Sequence, residues 1–206
     1  MNLLTALPLL LLLADPEAGP PWEQAAKDDG ITVYARERKE SGLREMKATG
    51  TFDAPPEAVW KVLRDYEAYT KVMPYVEVSK IVGHEDGDKI TYVYSVLALP
   101  LIDKRDYTLK LTDESDWKDG KGYLKSSWTV ANDKGPPGRK DIVRLSVNNG
   151  YWQLQPVDGG KKTYATYYIY TDPGGAVPKW MVNTANSGAV PDVFKAIRKA
   201  VKDKKQ

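Results

Sequence analysis

The feature of this chain that most constrains its fold is a long amphipathic stretch at its C-terminal end. The run Asp172-Pro173-Gly174-Gly175 is strong turn chemistry, because proline fixes φ and glycine admits positive φ. Beyond it, mostly apolar residues recur at the i, i+3, i+4 spacing of one helix face: Val177, Trp180, Met181, Thr184, Ala185, Ala189, Val193, Phe194, Ile197, Ala200 and Val201. The stretch predicts a closing helix over residues 177–202, which needs a broad apolar surface to lie across.

The chain before this helix predicts short strands separated by turn residues. Residues 22–29 predict a helical start, and strands are expected at 31–36 and 44–52. Pro55-Pro56 favours the start of a short helix at 58–66. The remaining strands are predicted at 75–82, 89–97, 104–112, 123–131, 142–148, 151–156 and 163–171, with tight turns at 149–150 and 158–160.

The order of these elements predicts an α+β domain over residues 22–204. Strands at short, regular spacing favour a curved antiparallel sheet, and the closing helix would lie across it. In the strand at 104–112, Tyr107, Leu109 and Leu111 alternate with Thr108 and Lys110, so one face of that strand is apolar. We expect helix and sheet together to enclose a cavity for an apolar ligand.

Composition and charge exclude several classes of function. The net charge of +2 creates no strong field for nucleic acid, and no nucleic-acid-binding motif is present. The chain has no cysteine, which excludes disulfides, a lipoprotein anchor and thiol catalysis. The only histidine, His84, is predicted to lie in a polar turn, and no side chains have metal-ligand spacing. We therefore expect no nucleic-acid partner, no metal and no cofactor.

The N-terminal residues carry an apolar run from Leu3 to Leu13. The run is too short to span a bilayer but suits the core of a signal peptide. Residues 1–18 are therefore predicted to be a signal peptide, with Ala14 or Ala18 before the cleavage point. The protein would then be periplasmic or secreted. If the segment is not a signal, a cytoplasmic location is the alternative.

Five segments, in chain order, resemble the START family of lipid-transfer domains. They are Gly30-Ile31-Thr32-Val33-Tyr34, the helix segment from Ala54 to Leu63 with Asp65 and Tyr66, the segment from Leu99 to Tyr107 with its Arg105-Asp106 pair, Gly150-Tyr151-Trp152 with Leu154 and Pro156, and the segment from Asp172 to Trp180 with Asn183. The resemblance implies a helix-grip fold in which the closing helix is a lid over a cavity for one lipid-like molecule.

The resemblance also implies an inward face. Steroid-handling members carry a buried acid and a buried base, and an ungapped count places these positions at Tyr92 and Leu111. The cavity would then lack that ion pair, and hydroxyls or backbone groups would meet the polar end of a ligand. The same count turns Tyr92, Tyr94 and Val96 inward, against Tyr107, Leu109 and Leu111.

Candidate ligand-binding residues follow from these two arguments. Trp and Tyr suit a cavity wall, because they are apolar with a polar tip, although core packing is a competing explanation. Arg105 would either meet the polar group of a ligand or form an ion pair with Asp106 at the start of its strand. The full set is Met73, Tyr92, Tyr94, Val96, Arg105, Tyr107, Leu109, Trp128, Trp152, Tyr167, Trp180, Met181 and Asn183. No catalytic residue is predicted.

The sequence thus favours a non-catalytic binder that transfers a sterol, an isoprenoid or an acyl lipid. A polyketide cyclase or aromatase on the same fold is the alternative, and it would need a positioned acid or base. A monomer is expected. Gly188 and Pro191 are candidate hinge points of the closing helix. The basic residues near the C-terminus complement the helix dipole, and a transient contact with an anionic membrane surface is a second interpretation.

Overall fold

The computed structural model describes residues 20–100, 102–175, 177 and 179–204, without the side chains of 179–187. The predicted signal peptide therefore lies outside the described residues. Three α-helices are described: α1 (Pro56–Leu63), α2 (Tyr69–Val72) and α3 (Lys179–Asp203). The strands are β1 (Glu23–Asp28), β2 (Ile31–Glu37), β3 (Arg44–Phe52), β4 (Val76–Glu85), β5 (Ile90–Leu97), β6 (Arg105–Asp113), β7 (Asp116–Lys118), β8 (Lys121–Val130), β9 (Val143–Arg144), β10 (Val147–Val157) and β11 (Lys162–Asp172).

The strands form one large sheet in the order β1-β2-β3-β11-β10-β8-β6-β5-β4, with antiparallel neighbours throughout. The short strand β7 pairs with β8, and β9 runs parallel to the start of β6. The long helix α3 packs on β2, β3 and α1. This confirms the predicted α+β helix-grip class, with a short helix after the strand that ends at Phe52.

Helix α3 packs through the apolar face that its sequence predicts. Phe194 and Ile197 are fully buried, and Val190 and Val201 are nearly so. The Phe194 ring stacks on Phe52, with ring centroids 5.6 Å apart. Burying one such aromatic side chain stabilises the fold by about 1.5–3 kcal/mol relative to leaving it in water. The C-terminal half of α3 is therefore an integral part of the core.

Basic side chains fix the same half of α3 to the domain. Lys195 Nζ lies 2.5 Å from Asp28 Oδ2, and Lys204 Nζ lies 2.7 Å from Asp65 Oδ2. Arg198 donates to Asp29 Oδ2 at 2.7 Å and to the Thr51 carbonyl at 3.0 Å. Each exposed pair contributes little stability alone. Together they fix the orientation of the helix. Three of the basic residues near the C-terminus therefore have an intramolecular partner.

Among the predicted elements that differ from the structure, two change the sheet. Residues 23–28 form the edge strand β1 instead of a helix, because their backbone pairs with β2 and this pairing overrides local propensity. Residues 149–150 are not a turn, since β10 runs through them and pairs with β11. A Cβ on Gly150 would lie 2.3 Å from Cζ2 of Trp128, so this glycine makes room for the indole ring.

Candidate ligand-binding cavity

A cavity of about 280 Å³ lies between the sheet and α3. One wall comes from β6, β8, β10 and β11, and the other from α1, α2 and the middle of α3. Its lining is mainly aliphatic and aromatic, and the described lining residues include no Asp, Glu or His: Trp60, Leu63, Arg64, Tyr66, Tyr69, Met73, Pro74, Tyr75, Val76, Leu97, Leu99, Arg105, Tyr107, Leu109, Leu111, Ser126, Trp128, Leu145, Asn148, Trp152, Tyr167, Ile169, Thr171, Pro173, Ala189, Val190 and Val193.

An aromatic wall forms the centre of the cavity. The Trp152 and Tyr167 rings pack with centroids 4.5 Å apart, and Trp128 lies 5.9 Å from Tyr167. Behind them, Phe194 of α3 lies 5.0 Å from Trp152. Trp128, Trp152 and Tyr167 therefore line the cavity and also pack in the hydrophobic core, so ligand contact and core packing are both open to them.

Tyrosine hydroxyls supply part of the polar surface. The Tyr69 hydroxyl donates to the Leu63 carbonyl at 2.5 Å. Burial raises the pKa of Tyr107 to about 12, against a smaller opposing effect of a hydrogen bond with Ser95. Burial also raises the pKa of Tyr69 and of Tyr167 well above the ordinary value. All three groups stay protonated at neutral pH, so they can exchange hydrogen bonds with a ligand but do not act as bases.

Arg105 is the most deeply buried cation of the cavity, at 2% exposure. Its Nε donates to the Pro173 carbonyl at 3.2 Å, and its Nη1 donates to the Asp103 carbonyl. Burial lowers the pKa of Arg105, and the nearby Asp103 opposes that effect. The guanidinium makes no ion pair with any residue that the structure describes.

The predicted ion pair between Arg105 and Asp106 is wrong. Successive residues of a strand point to opposite faces, so Asp106 lies on the outer face of β6. There it accepts a two-pronged contact from Arg144, at 3.0 Å from Nε and 2.7 Å from Nη2. The Tyr94 hydroxyl donates to the same carboxylate at 3.1 Å. The Asp106 carboxylate therefore anchors the segment around β9 outside the cavity.

The predicted inward orientation of Tyr92, Tyr94 and Val96 is also wrong. The register pairs Thr91 with Leu111, Val93 with Leu109 and Ser95 with Tyr107, so the odd-numbered residues of β5 share the cavity face. An ungapped count shifted this register by one residue, which turns every side chain to the opposite face. On the outer face, Tyr94 and Val96 pack with Ile142. Lys134 Nζ lies 5.5 Å from the centroid of the Tyr92 ring.

The other predicted residues fall into two groups. The structure brings seven of them together around the cavity: Met73, Arg105, Tyr107, Leu109, Trp128, Trp152 and Tyr167. The side chains of the remaining three, Trp180, Met181 and Asn183, lie outside the description. Whether any of these residues binds a ligand stays a prediction.

Sequence reasoning missed the opposite wall of the cavity. Four side chains line it from α1, from the turn that follows and from α2: Trp60, Leu63, Tyr66 and Tyr69. Ala189, Val190 and Val193 line it from α3. Ala189 and Val193 belong to the apolar face predicted for the closing helix, so the pattern itself contained this information. Tyr69 had no comparable signal, because it begins α2, a helix of four residues that is too short for apolar spacing to predict.

A second arginine lies at the α1 side of the cavity. Arg64 pairs with Asp113 at 2.5 Å and donates to the Asp88 carbonyl at 2.7 Å. Its guanidinium also lies 5.7 Å from the Trp60 ring centroid. Arg64 therefore has a carboxylate partner, whereas Arg105 has none among the described residues.

Neither a membrane-spanning helix nor a metal site is found among the described residues. In the part of the chain that the structure describes, no helix combines the length and the apolar character needed to cross a membrane. Within those same residues, no group of acidic or histidine side chains is arranged to hold a metal ion.

Comparison with known proteins gives consistent matches. The family profile described as polyketide cyclase / dehydrase and lipid transport matches residues 52–198. A crystal structure of the STAR-related lipid transfer protein from Xanthomonas axonopodis is similar, with a TM-score of 0.77 and 31% identity, covering 88% of this chain and 98% of that one.

Two curated relatives are similar at lower identity. Phosphatidylcholine transfer protein from Bos taurus is 25% identical over 192 residues, which cover 92% of this chain and 88% of that protein. START domain-containing protein 10 from Mus musculus is 28% identical over 192 residues. That match covers 89% of this chain but 62% of the longer mouse protein.

Proposed function

Because the chain belongs to the polyketide cyclase/dehydrase and lipid transport family, as a START-type member, we propose that it is a non-catalytic lipid carrier. It binds the apolar part of one lipid-like molecule in the cavity under α3 and transfers it through water. The observation that carries this proposal is the chemistry of the lining, which is mainly apolar and contains no carboxylate or imidazole among the described residues.

The mechanism is burial of apolar surface. Each Å² of ligand surface covered by the aromatic and aliphatic walls contributes about 25 cal/mol, which offsets extraction of the lipid from a bilayer. The cavity of about 280 Å³ is close to the lower limit of typical ligand pockets, roughly 300 Å³. A slender single-chain ligand suits this volume best, and a larger lipid requires the wall to move.

We propose that the N-terminal half of α3 moves to admit the ligand. The C-terminal half is held by Phe194, Ile197 and the ion pairs with β1 and its turn. Gly188 and Pro191 lie between the two halves, and both weaken a helix. Opening at these residues would expose the cavity while the rest of the helix stays packed.

A cyclase or aromatase is the second candidate function, and the family description is what favours it. Such chemistry needs a general acid or base whose pKa lies near the working pH. The titratable groups that line the described cavity are arginines and tyrosines. Since burial raises the pKa of Tyr69, Tyr107 and Tyr167, the carrier is the better-supported proposal.

Direct extraction tests the carrier proposal. The full chain is purified from its native host under mild conditions, extracted with organic solvent and analysed by mass spectrometry. We expect a co-purifying lipid at close to one molecule per chain, and transfer of that lipid between vesicles. The proposal fails if no lipid is extracted and a panel of labelled sterols, fatty acids and phospholipids also fails to bind.

Location, assembly and membrane contact complete the proposal. We propose export through residues 1–18, function as a monomer and brief contact with the membranes that donate and accept the lipid. N-terminal sequencing of the mature protein tests cleavage, and light scattering tests the monomer. Transfer rates that do not respond to anionic lipid in the vesicles would argue against an electrostatic membrane contact.

A further inference from the structure

The end of the cavity beside Pro173 presents hydrogen-bond donors without an anion. Arg105 is 2% exposed, yet its two hydrogen bonds in the structure go to the neutral carbonyls of Pro173 and Asp103. Its Nη2 has no acceptor among the described residues. Burying a cation is costly unless an opposite charge compensates it. Arg105 lines the cavity. Asp103 supports its charge electrostatically but forms no ion pair with it, so this buried guanidinium has no directly bonded anion among the described residues.

Asn148 adds a second donor at the same end. Its Oδ1 accepts from the indole N–H of Trp128 at 3.1 Å and lies 3.4 Å from the Thr171 hydroxyl. Since an indole nitrogen can only donate, this contact fixes the amide with its oxygen toward Trp128. The Nδ2 group then has no acceptor among the described residues. Asn148 is buried and lines the cavity with Thr171 and Pro173.

We propose that this end of the cavity binds the oxyanion of an amphiphilic ligand, a phosphate or a carboxylate, through Arg105 and Asn148. A planar guanidinium offers paired N–H groups that match either oxyanion. The ligand's chain lies along the aromatic wall of Trp128, Tyr167 and Trp152. This inference rests on the proposed carrier function and adds to it the chemical class of the ligand.

Three probes with the same chain test the proposal: oleate, oleoyl lysophosphatidic acid and the neutral oleyl alcohol. Their affinities for the delipidated full chain are measured by titration calorimetry. We expect at least one anion to bind at least about tenfold more tightly than the alcohol, since hydrogen bonds to charged groups are the strong ones. The tighter of the two anions identifies phosphate or carboxylate as the natural group.

Two variants locate the site. Arg105→Met removes the charge, and Asn148→Asp keeps an acceptor for Trp128 but places negative charge at the site. Each is expected to weaken the preferred anion by about tenfold or more, with less than about a twofold effect on the alcohol. The second variant keeps the test decisive if the first fails to fold. Arg139→Met, at an exposed arginine paired with Asp141, is the matched control.

The outcomes separate this inference from the carrier function. Equal binding of alcohol and anions, or anion binding that survives in both variants, overturns the oxyanion site while the carrier proposal stands. If none of the three probes binds, and solvent extraction yields no lipid, both proposals fail together.

Discussion

At the scale of single residues, Glu45 is a buried carboxylate on the outer face of the sheet. It is 2% exposed and accepts hydrogen bonds from Arg36, from Arg38 Nε at 3.1 Å and from the Tyr168 hydroxyl. Burial raises the pKa of Glu45, but the bonds from Tyr168, Arg36 and Arg38 outweigh it, so the net pKa is lowered from 4.5. The charged form is therefore the one that the fold stabilises.

We predict that replacing Glu45 changes how the stability of the protein depends on pH. Because the folded pKa is lowered, the contribution of Glu45 is fully present above the unfolded value of 4.5 and is lost as pH falls through the folded value. Glu45→Gln should lower the free energy of unfolding by about 1.5–3 kcal/mol at neutral pH. The gap to the wild type should narrow as pH falls below 4.5 in denaturant titrations.

The control for this prediction is Glu57→Gln, at an exposed carboxylate in the first turn of α1. It should change stability by less than about 0.5 kcal/mol at neutral pH. A gap between Glu45→Gln and the wild type that stays constant from neutral to acid pH would contradict the proposed role of the charge.

Residue-level predictions succeeded where one strand decides the outcome and failed where two must be aligned. The alternation of Tyr107, Leu109 and Leu111 is a property of β6 alone, and Tyr107 and Leu109 do line the cavity. The orientation of Tyr92 depends on how many residues the β5–β6 loop holds before pairing begins. A change of one residue there inverts the whole face, and the sequence of β5 contains no sign of it.

At the scale of elements, α3 has a firmly packed C-terminal half, and two helix-weakening residues, Gly188 and Pro191, lie between that half and the N-terminal half. Its bounds were predictable to within two residues at the start and one at the end, because apolar spacing and the preceding turn both specify them. Strand β1 was not predictable, since its sequence EQAAKD favours a helix and only pairing with β2 makes it a strand.

We predict that replacing Gly188 with alanine makes α3 stiffer. A Cβ there would meet nothing within 4 Å, so Gly188→Ala costs no packing. The variant should gain about 1 kcal/mol in the free energy of unfolding, from helix propensity alone. If α3 opens at this residue, transfer of lipid between vesicles should also slow. Thermal unfolding and transfer rates measure the two effects separately.

Gly150→Ala is the matched comparison, because the same substitution meets a filled space. Its Cβ would lie 2.3 Å from both the Trp128 ring and the Tyr168 carbonyl oxygen. We expect a loss of about 1–3 kcal/mol from overpacking. Two results would contradict these expectations: a Gly150→Ala variant that is more stable than the wild type, or a Gly188→Ala variant that unfolds at a lower temperature. Either would mean that the space around that glycine differs from the one described.

At the scale of the whole molecule, the sheet and α3 share one apolar interior, and the cavity is the part of it that side chains leave unfilled. A ligand that binds only the folded state stabilises it, by about 2.7 kcal/mol at one hundred times its dissociation constant. Delipidated protein should therefore melt at a lower temperature than protein reloaded with its lipid.

Ala189→Phe tests whether the ligand and the cavity coincide. Ala189 lines the cavity from α3, so a phenyl group there occupies the space of a ligand. We expect lipid per chain to fall several-fold and the gain in melting temperature on reloading to disappear. Lys199→Ala, on the exposed side of the same helix, is the control. Full lipid content in Ala189→Phe would place the ligand elsewhere.

The tryptophan residues that line the cavity have a practical consequence. Trp60, Trp128 and Trp152 line the cavity, while Trp22 lies on the far side of the sheet against Tyr168. Indole emission shifts toward the blue when water around the ring is replaced by hydrocarbon. The protein thus contains its own optical reporter, and the kinetics of uptake and release can be followed in real time without attaching a dye.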